Sequence, residues 1–479
     1  MSELILTPEQ IRAASARMAE ILVGYETSLA DRAVLPELDR GALRQILDEP
    51  WPEQGRPIDE LFDEFTDVII PNSAHIAHPR YLAYVLASPH GLSPFAEALS
   101  AVLNQNASIW ALSPVANAIE QTVIRWLAEL FGFPSDSIGH ITSGGSMANL
   151  VALQAARDRK LGAAARTQGL QGGDAPLQIY PSTEVHGSID KAVSMLGLGT
   201  DHLERIPVDS EFRIRVDLLR ERMRRDRAAG RQPTCVVASA GTVMTGAFDP
   251  LGELAKVCAE EDVWLHVDGA FGALGVLADR ISPCLAGVER ADSIALDPHK
   301  LLFNSLEAGC VLLRDREQAR RSFSQDASYI SSDADPDLID FTDFGPQLSR
   351  SVKAFKVWWA IRAFGRGAYI RTLDRLLDLA QTMGNRIEAE ASLELLAPVT
   401  FTAVCFRHRG LDEAGNAELL RAVIDSGVAY LGPARVREKP GLRACFTNLR
   451  TTDADVDTVV EAVARLGDDL ASAHGPEFR

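Results

Sequence analysis

The sequence lacks several features that would assign it to particular classes of protein. It contains no run of roughly 18 apolar residues, and its first residues include no apolar stretch of the signal-peptide kind. Basic residues are in deficit, 48 against 66 acidic ones, so the formal net charge is −18. A membrane span and a surface for nucleic acid or anionic lipid are therefore disfavoured, and a small-molecule partner fits better.

Cysteine is also scarce, and its spacing excludes the usual cysteine-based sites. The six cysteines show no Cys-x-x-Cys or metal-like spacing, and several stand in apolar, strand-like runs. This pattern indicates buried free thiols in a reducing compartment rather than disulfides or a metal centre. Together with the missing leader, it predicts a cytoplasmic protein without a bound metal.

The length and the patterning predict an α/β protein in three segments. A chain of 479 residues exceeds what one core usually organises. Residues 1–85 show helical periodicity, residues 86–355 alternate strand, turn and helix, and residues 356–479 mix helices with strands. The N-terminal helices are too few for a core of their own. We expect their apolar faces to pack on the rest of the chain or on a second subunit.

Lys300 stands at the end of a short apolar strand, in the stretch ADSIALDPHKLL. A lone lysine there is more often a surface residue whose stem covers apolar neighbours. However, Asp268 ends another apolar strand, VWLHVDG, and the carboxyl ends of parallel strands meet at one edge of a sheet. An acid for a ring nitrogen and a lysine for an aldehyde are what pyridoxal phosphate (PLP) needs.

Three further strand ends carry polar signals. The strand GHIT is followed by the turn SGGS and a helix, and backbone amides at such a helix start can bind a phosphate. Two other predicted strands are followed by His186 and by Thr242. Each signal is weak alone, because a histidine at a helix start is usually a capping residue and a threonine at a strand end is often a turn residue.

Together these stretches resemble the group II PLP-dependent amino-acid decarboxylases. The matching motifs are HVDGAFG, DPHK, TSGGSMANL, STEVHGSIDKA and LRACFTNLRTTDADV, and they span nearly the whole chain in the family's order. The resemblance implies fold type I of the PLP-dependent transferases, which is aspartate-aminotransferase-like. That fold has a large domain on a mostly parallel seven-stranded sheet, a small C-terminal α+β domain and an N-terminal helical segment. The family also implies a homodimer with active sites at the interface.

The resemblance implies roles for individual residues as well. Lys300 would bond to the cofactor aldehyde, Asp268 would pair with the ring nitrogen, and His186 would stack on the ring. The other cofactor contacts would come from Gly145, Ser146, Thr242, Asp297 and His299. Tyr329, in the polar segment 324–345, matches a tyrosine on a mobile catalytic loop that reaches into the partner's site and protonates Cα.

The substrate signals are mixed. HPRYLAYVLAS at 78–88 matches a substrate-wall segment, in which Tyr84, Val85 and Leu86 resemble the apolar type of the aromatic decarboxylases. The stretch LNQNASIW, which the partner subunit would contribute through Asn106 and Ser108, looks closer to the glutamate-decarboxylase pattern in its asparagines.

We therefore expect the protein to decarboxylate an L-amino acid to the amine and CO2. The expected substrate is an aromatic or bulky apolar amino acid. The alternatives are an acidic or diamino acid substrate, decarboxylation coupled to oxidative deamination, and a non-catalytic dimeric scaffold. Tyr329 counts against the second, because aldehyde-forming relatives replace that tyrosine. Leu301, Ala308 and Gly269 replace other residues of the family pattern and predict extra space near the cofactor.

Overall fold

The computed structural model describes residues 4–162, 164–172, 175–324 and 338–473. The α-helices are α1 Pro8–Ser28, α2 Arg40–Leu47, α3 Ile58–Glu64, α4 Ser93–Leu103, α5 Pro114–Leu130, α6 Gly145–Leu161, α7 Ala164–Gln168, α8 Ser188–Met195, α9 Val216–Ala228, α10 Leu251–Glu261, α11 Pro298–Leu301, α12 Arg316–Phe323, α13 Ala354–Ala389, α14 Glu413–Asp425 and α15 Asp453–Ala473. Within the described ranges, no helix combines the length and the apolar character that crossing a membrane requires.

Ten strands form two sheets in the described part of the chain. They are β1 Ile138–Thr142, β2 Leu177–Pro181, β3 Gln232–Ser239, β4 Trp264–Asp268, β5 Ser293–Leu296, β6 Gly309–Leu313, β7 Leu393–Leu395, β8 Ala403–His408, β9 Gly432–Val436 and β10 Lys439–Cys445. The larger sheet has the order β1-β6-β5-β4-β3-β2, and β2 to β5 pair in parallel. β6 runs antiparallel to both of its neighbours.

The larger sheet is covered on both faces. Successive residues of β3 alternate between two separate apolar clusters, with Val236 in one cluster and Val237 in the other. A parallel sheet covered in this way requires strands that are apolar at nearly every position, which is why the strands read as continuous apolar runs in the sequence. The mostly parallel sheet with flanking helices agrees with the predicted fold class.

The sheet has six strands over the described residues, one fewer than the seven predicted. The missing edge strand is reduced to two isolated parallel bridges, in which Leu203 and Ile206 pair with residues of β2 and its end. The backbone N–H groups of Glu204 and Ile206 donate to carbonyls of β2 at 2.8 Å. Pro207 follows, and because proline has no N–H to donate, the segment does not continue as a regular strand.

The direction of the strands decides where the site lies. β1 to β5 all run the same way, so the residues that follow their last positions gather along one edge of the sheet. In open α/β sheets this carboxyl edge is where ligands bind. The segments after β1, β2, β3, β4 and β5 carry the residues that the sequence singles out.

The smaller sheet is antiparallel throughout and has the order β7-β8-β10-β9. Helices α13, α14 and α15 pack beside it. The predicted boundary at residue 355 lies in the first turn of α13, and the division into three segments stays a prediction. At the other end of the chain, Thr7 caps α1 in a capping box with Gln10, and α1 buries none of its residues.

Candidate functional site

A cavity of about 490 Å³ opens at the carboxyl edge of the larger sheet. It brings together most of the residues that the sequence predicts for the site. The predicted residues that line it are Tyr84, Val85, Gly145, Ser146, His186, Thr242, Asp268, Asp297, His299 and Lys300. These residues come from positions that are more than 200 apart in the chain, and the strand order is what assembles them.

The start of α6 forms one wall of the cavity. Gly145 is the first residue of the helix and Ser146 the second, so their backbone N–H groups have no acceptor within the helix. A Cβ atom at Gly145 would lie 2.8 Å from the Cβ of Ala270 and 3.2 Å from Oδ2 of Asp297. Only glycine fits at this helix start, which leaves the helix N-terminus open to an anion.

Lys300 lies on α11, immediately beyond β5, and its ammonium group is paired. Its Nζ lies 2.8 Å from Oδ2 of Asp297, a carboxylate that is almost fully buried. Nε2 of His299 lies 3.5 Å from the same oxygen, and Nδ1 of His299 accepts a hydrogen bond from the backbone N–H of Ala308 at 3.1 Å. Burial lowers the pKa of His299, although the charge of Asp297 opposes this. The lysine amine is thus held at the cavity wall by a buried acid.

Asp268 ends β4, and both of its oxygens accept hydrogen bonds from N–H donors. Oδ2 accepts from Nδ2 of Asn149 at 2.9 Å, and Oδ1 accepts from the backbone N–H of Ala270 at 3.2 Å. A carboxylate can only accept, so this pair of donors suits the ionised side chain. The arrangement presents a fixed acid on the cavity wall.

His186 lies just before α8 and is connected to Asp268 through two side chains. Its Nδ1 lies 2.8 Å from Oγ of Ser188 and accepts from the Ser188 backbone N–H at 3.2 Å. Nδ2 of Asn149 donates to Oγ of Ser188 at 2.9 Å, in addition to its bond with Asp268. Asn149 therefore bridges the histidine and the acid of the cavity.

Behind Asn149 the polar chain continues into the sheet. Nε2 of His266 lies 2.9 Å from Oδ1 of Asn149, and Nδ1 of His266 lies 2.9 Å from Oγ of Ser293. Nε1 of Trp264 donates to the same serine oxygen at 2.8 Å. Burial lowers the pKa of His266 to about 4, even though the nearby charge of Asp268 raises it, so the ring is neutral at pH 7.

Thr242 lines the cavity, but its hydroxyl group is used inside a turn. Its Oγ1 lies 2.9 Å from Oγ1 of Thr245 and accepts from the backbone N–H of Ala247 at 3.1 Å. The turn also contains Gly246, whose φ of +73° favours glycine. The structure thus supports the turn interpretation of this threonine, and a contact with a cofactor stays a prediction.

These residues fit pyridoxal 5'-phosphate. The helix start with its obligatory glycine suits the phosphate, Asp268 suits a ring nitrogen, and Lys300 supplies an amine for the aldehyde. Oδ1 of Asp297 is buried and has no hydrogen-bond partner among the described atoms, which leaves an acceptor beside the lysine. The donor set and the available space therefore match the three functional ends of this cofactor.

Some predicted residues lie elsewhere. Leu86 does not line the cavity, because its side chain packs on the cluster of Val34, Tyr81 and Ala83. Its assignment to the substrate pocket stays a prediction. Asn106 and Ser108 also lie outside it, and Oδ1 of Asn106 instead accepts from the backbone N–H of Ser108 at 3.2 Å. Their predicted contribution to a partner's site stays a prediction.

Tyr329 lies outside the described residues. Its predicted place on a catalytic loop stays a prediction.

The prediction of extra space near the cofactor is wrong. Leu301, Ala308 and Gly269 are not among the residues that line the cavity. A Cβ atom at Gly269 would lie 2.4 Å from the Cβ of Ala273, so the volume beside this glycine is already filled. Leu301 and Ala308 are fully packed in the main apolar core.

Asn149, Glu184 and Arg443 are among the site residues that sequence reasoning missed. Asn149 stands one helical turn after Gly145 in the same motif, and this spacing could have placed it on the cavity side of α6. Glu184 precedes His186 by two residues, and burial raises the pKa of its carboxyl while the charge of Arg437 opposes this. Arg443, on β10, lines the cavity with a buried Nε that has no partner among the described atoms.

Comparisons with known proteins agree with this geometry. A family model described as the pyridoxal-dependent decarboxylase conserved domain matches residues 41–409. An aromatic-L-amino-acid decarboxylase of Bacillus atrophaeus is 32% identical over 485 residues, covering 99% of each chain. A phenylacetaldehyde synthase of Petunia hybrida is 28% identical over 450 residues, covering 89% of this chain and 88% of the other.

A solved structure resembles the whole chain. The crystal structure of Oryza sativa TDC with PLP and tryptamine matches it with a TM-score of 0.91 and 25% sequence identity, over 98% of this chain and 99% of that one. The cofactor is therefore pyridoxal 5'-phosphate, and the protein is a PLP-dependent carboxy-lyase of fold type I. On the extent of these matches, the chain belongs to the family of pyridoxal-dependent decarboxylases.

Proposed function

We propose that the protein decarboxylates an aromatic L-amino acid to the corresponding amine and CO2. The observation that carries this proposal is the convergence of Lys300 and Asp268 on one cavity that is also lined by Tyr84, Val85 and Phe271. The bacterial relative is named an aromatic-L-amino-acid decarboxylase, and the rice structure contains tryptamine, an aromatic amine.

The residues of the cavity would each have a separate role in holding the cofactor. Lys300 holds the cofactor aldehyde, Asp268 pairs with the ring nitrogen, and the start of α6 at Gly145 and Ser146 binds the phosphate. When bound, PLP supplies the electron sink for the bond that breaks between Cα and the carboxylate. His186 would stack on the ring, as the family resemblance implies, and would limit its movement. Fixing the reacting groups in one geometry removes much of the entropic part of the barrier.

The cavity wall favours a flat apolar side chain. Phe271 is buried and its ring packs edge-on against Phe401 at 5.1 Å, so it is a rigid wall. Tyr84 stays 49% exposed, has a φ of +58°, and packs edge-on against Tyr430 at 6.1 Å. Strained backbone of this kind concentrates at functional sites. Aromatic rings stack or pack edge-on, so both walls suit an aromatic substrate.

Two further charged side chains of the lining bear on the choice of substrate. Arg443 offers a guanidinium group and Glu184 a partly buried carboxyl group. A free amino acid carries a carboxylate, which Arg443 can bind through charge-assisted hydrogen bonds. Glu184 disfavours a second negative charge on the substrate and so counts against an acidic side chain. Replacing Glu184 with glutamine should therefore weaken discrimination against acidic amino acids.

A second candidate is decarboxylation coupled to oxidative deamination, which yields an aldehyde. The match to the phenylacetaldehyde synthase of Petunia hybrida favours it. Tyr329 counts against it, because the family resemblance associates that tyrosine with amine formation.

The test is turnover of a panel of L-amino acids by the purified protein with PLP. The panel should contain tryptophan, tyrosine, phenylalanine, 3,4-dihydroxyphenylalanine, histidine, glutamate and 2,4-diaminobutyrate, with CO2, amine, aldehyde and peroxide measured together. We expect CO2 and amine in equal amounts from at least one aromatic substrate. Preferred turnover of glutamate would overturn the substrate class, and equal yields of aldehyde and peroxide would establish the second candidate.

Borohydride reduction before peptide mapping tests the role of Lys300 separately. We expect the cofactor to become fixed to Lys300 and to be absent from a Lys300→Ala variant. Lys256, which is exposed on α10, provides the matched control, since Lys256→Ala should keep the label and the turnover. A label on another lysine in the parent protein would contradict the assignment of the whole site.

The same family resemblance supports a homodimer, which we include in the proposal. Apolar side chains are exposed on α1 and α4, among them Ile11, Phe95, Leu99 and Val102. Large apolar side chains exposed on successive turns of a helix are typical of a subunit interface. Light scattering should give about twice the chain mass, and Val102→Asp should shift it toward the monomer. The six free cysteines are consistent with a cytoplasmic location.

A further inference from the structure

We propose that Asn149 is a positioning residue that joins Asp268 to His186 and holds both side chains in one hydrogen-bonding arrangement. The inference rests on the proposed roles of Asp268 and His186, and it assigns a role to residues outside the predicted site. It follows from the direction in which every hydrogen bond of the chain must run. That direction is fixed because three members of the network can act only as a donor or only as an acceptor.

The three members are an indole, a carboxylate and a backbone amide. Nε1 of Trp264 can only donate, the carboxylate of Asp268 can only accept, and the backbone N–H of Ser188 can only donate. They stand at the ends of the network. The protons in between therefore have a single consistent arrangement.

From the tryptophan inward, each step follows from the previous one. Trp264 donates to Oγ of Ser293, so the serine hydroxyl is free to donate to Nδ1 of His266 at 2.9 Å. A neutral His266 then carries its proton on Nε2 and donates it to Oδ1 of Asn149 at 2.9 Å. The carbonyl oxygen of Asn149 is thereby fixed toward the sheet, and its amide nitrogen faces the cavity.

From Asn149 outward, the amide group has two N–H bonds and two acceptors. One donates to Oδ2 of Asp268 at 2.9 Å and the other to Oγ of Ser188 at 2.9 Å. Nδ1 of His186 already accepts from the Ser188 backbone, so it carries no proton in the neutral ring, and the serine hydroxyl donates to it at 2.8 Å. The proton of a neutral His186 is therefore on Nε2.

A flipped Asn149 would break this arrangement at two points. Its oxygen would face the carboxylate of Asp268, and its nitrogen would face the Nε2–H of His266. Both contacts would be repulsive and buried, since Asn149 is only 1% exposed. Buried polar groups without partners are costly, so His266 locks the amide in the orientation that serves the cavity.

This arrangement decides which charge and which hydrogen-bond donor the cavity offers to a bound ligand. Asp268 is kept as an acceptor by a neutral donor rather than by a cation, so its negative charge remains available to a ring nitrogen. His186 offers an N–H at the ring nitrogen farther from Ser188, and its other nitrogen is occupied. The pair can then orient a ligand on one side through charge and on the other through a hydrogen bond.

The test has a readout on the protein without PLP. With ¹⁵N-labelled histidine rings, the signals of neutral His186 should show an unprotonated Nδ1 and a protonated Nε2. Asn149→Ala should shift the ring signals of His186, because Ser188 then loses the donor that commits its hydroxyl to the histidine, while the backbone N–H of Ser188 still keeps Nδ1 unprotonated. The dissociation constant for PLP should rise about 10- to 100-fold, the range for a lost hydrogen bond to a charged group.

The variants of His266 provide the conservative rescue. His266→Gln keeps an amide donor for Oδ1 of Asn149 and should retain most of the PLP affinity and the His186 signature. His266→Leu removes the donor and should behave like Asn149→Ala. Equal behaviour of the glutamine and leucine variants would overturn the locking role of His266.

Asn416 is the matched structural control. It is also 1% exposed, and it makes its hydrogen bonds with His408, Leu411 and Asp412 in the C-terminal part of the chain. Asn416→Ala should lower Tm while leaving PLP affinity and the His186 signals unchanged. If Asn149→Ala also lowers Tm without changing the PLP affinity or the His186 signals, Asn149 is a packing residue and the proposal is wrong.

A protonated Nδ1 in neutral His186 of the parent protein would overturn the inference as well. Failure of the proposed function is distinguishable from either result. If no amino acid is turned over while the tautomer and PLP readouts behave as expected, the substrate proposal fails and the network assignment stands.

Discussion

Replacing Gly145 with alanine tests whether the start of α6 is the phosphate site. The added Cβ would lie 2.8 Å from the Cβ of Ala270 and 3.2 Å from Oδ2 of Asp297, closer than side-chain carbons normally approach. Neither neighbour yields easily, because the Ala270 backbone N–H donates to Asp268 and Asp297 pairs with Lys300. The start of the helix must therefore shift.

The magnitude follows from the cost of overpacking. An inserted methyl group in a tightly packed region costs about 1–3 kcal/mol. If this strain is expressed in the geometry of the anion site, PLP affinity falls by about 5- to 150-fold, since each 1.4 kcal/mol is a factor of ten. The main-chain amides would be displaced from the phosphate, while the lysine and the acid would remain in place.

The assay is equilibrium dialysis of the protein against graded PLP, with bound cofactor read by absorbance. Gly91→Ala is the control, because no atom lies within 4 Å of a Cβ at that position. It should bind PLP as the parent does. Parental PLP affinity in Gly145→Ala, together with an unchanged Tm, would refute the argument that only glycine fits at this helix start.

Three other predictions follow from the site and the sequence. Asp268→Asn should still bind PLP but lose about 100- to 1000-fold in kcat, because a neutral amide cannot supply the charge that stabilises a protonated ring nitrogen; a near-parental kcat would remove Asp268 from this role. Tyr329→Phe should lower amine yield and raise aldehyde, ammonia and peroxide, since CO2 leaves before Cα is protonated; amine at the parental rate without aldehyde would contradict this. Burial lowers the pKa of His266 from its usual 6.5 to about 4. Between pH 6.5 and pH 4 the unfolded chain therefore binds more protons at this histidine than the folded protein does. The free energy of unfolding consequently falls as the pH falls through this window. His266→Gln should reduce the fall in unfolding free energy between pH 7 and pH 4 by about 3 kcal/mol, measured by urea unfolding at the two pH values. An unchanged pH dependence would count against a neutral buried ring.

All of the residues predicted to contact the cofactor line the cavity, whereas only two of the five predicted for the substrate pocket do. Lys300, Asp268 and Gly145 follow directly after strands, and in a parallel sheet the end of a strand defines the edge on which a residue lies. Val85 and Leu86, in contrast, are neighbours in a loop without regular periodicity, so no rule predicts which of the two faces the cavity. The structure assigns Val85 to the cavity and Leu86 to an apolar cluster.

The sequence by itself determined the family, the cofactor and the edge of the sheet where the chemistry lies, because those properties depend on short motifs and on apolar strands that are local in the chain. The tertiary structure alone decided which side chains support that chemistry. Asn149 lies 39 residues from Ser188, 117 from His266 and 119 from Asp268, and its hydrogen bonds exist only because α6 packs over the sheet and beside α8. Hydrogen-bond direction depends on such distant partners, and no pattern within a single motif contains it.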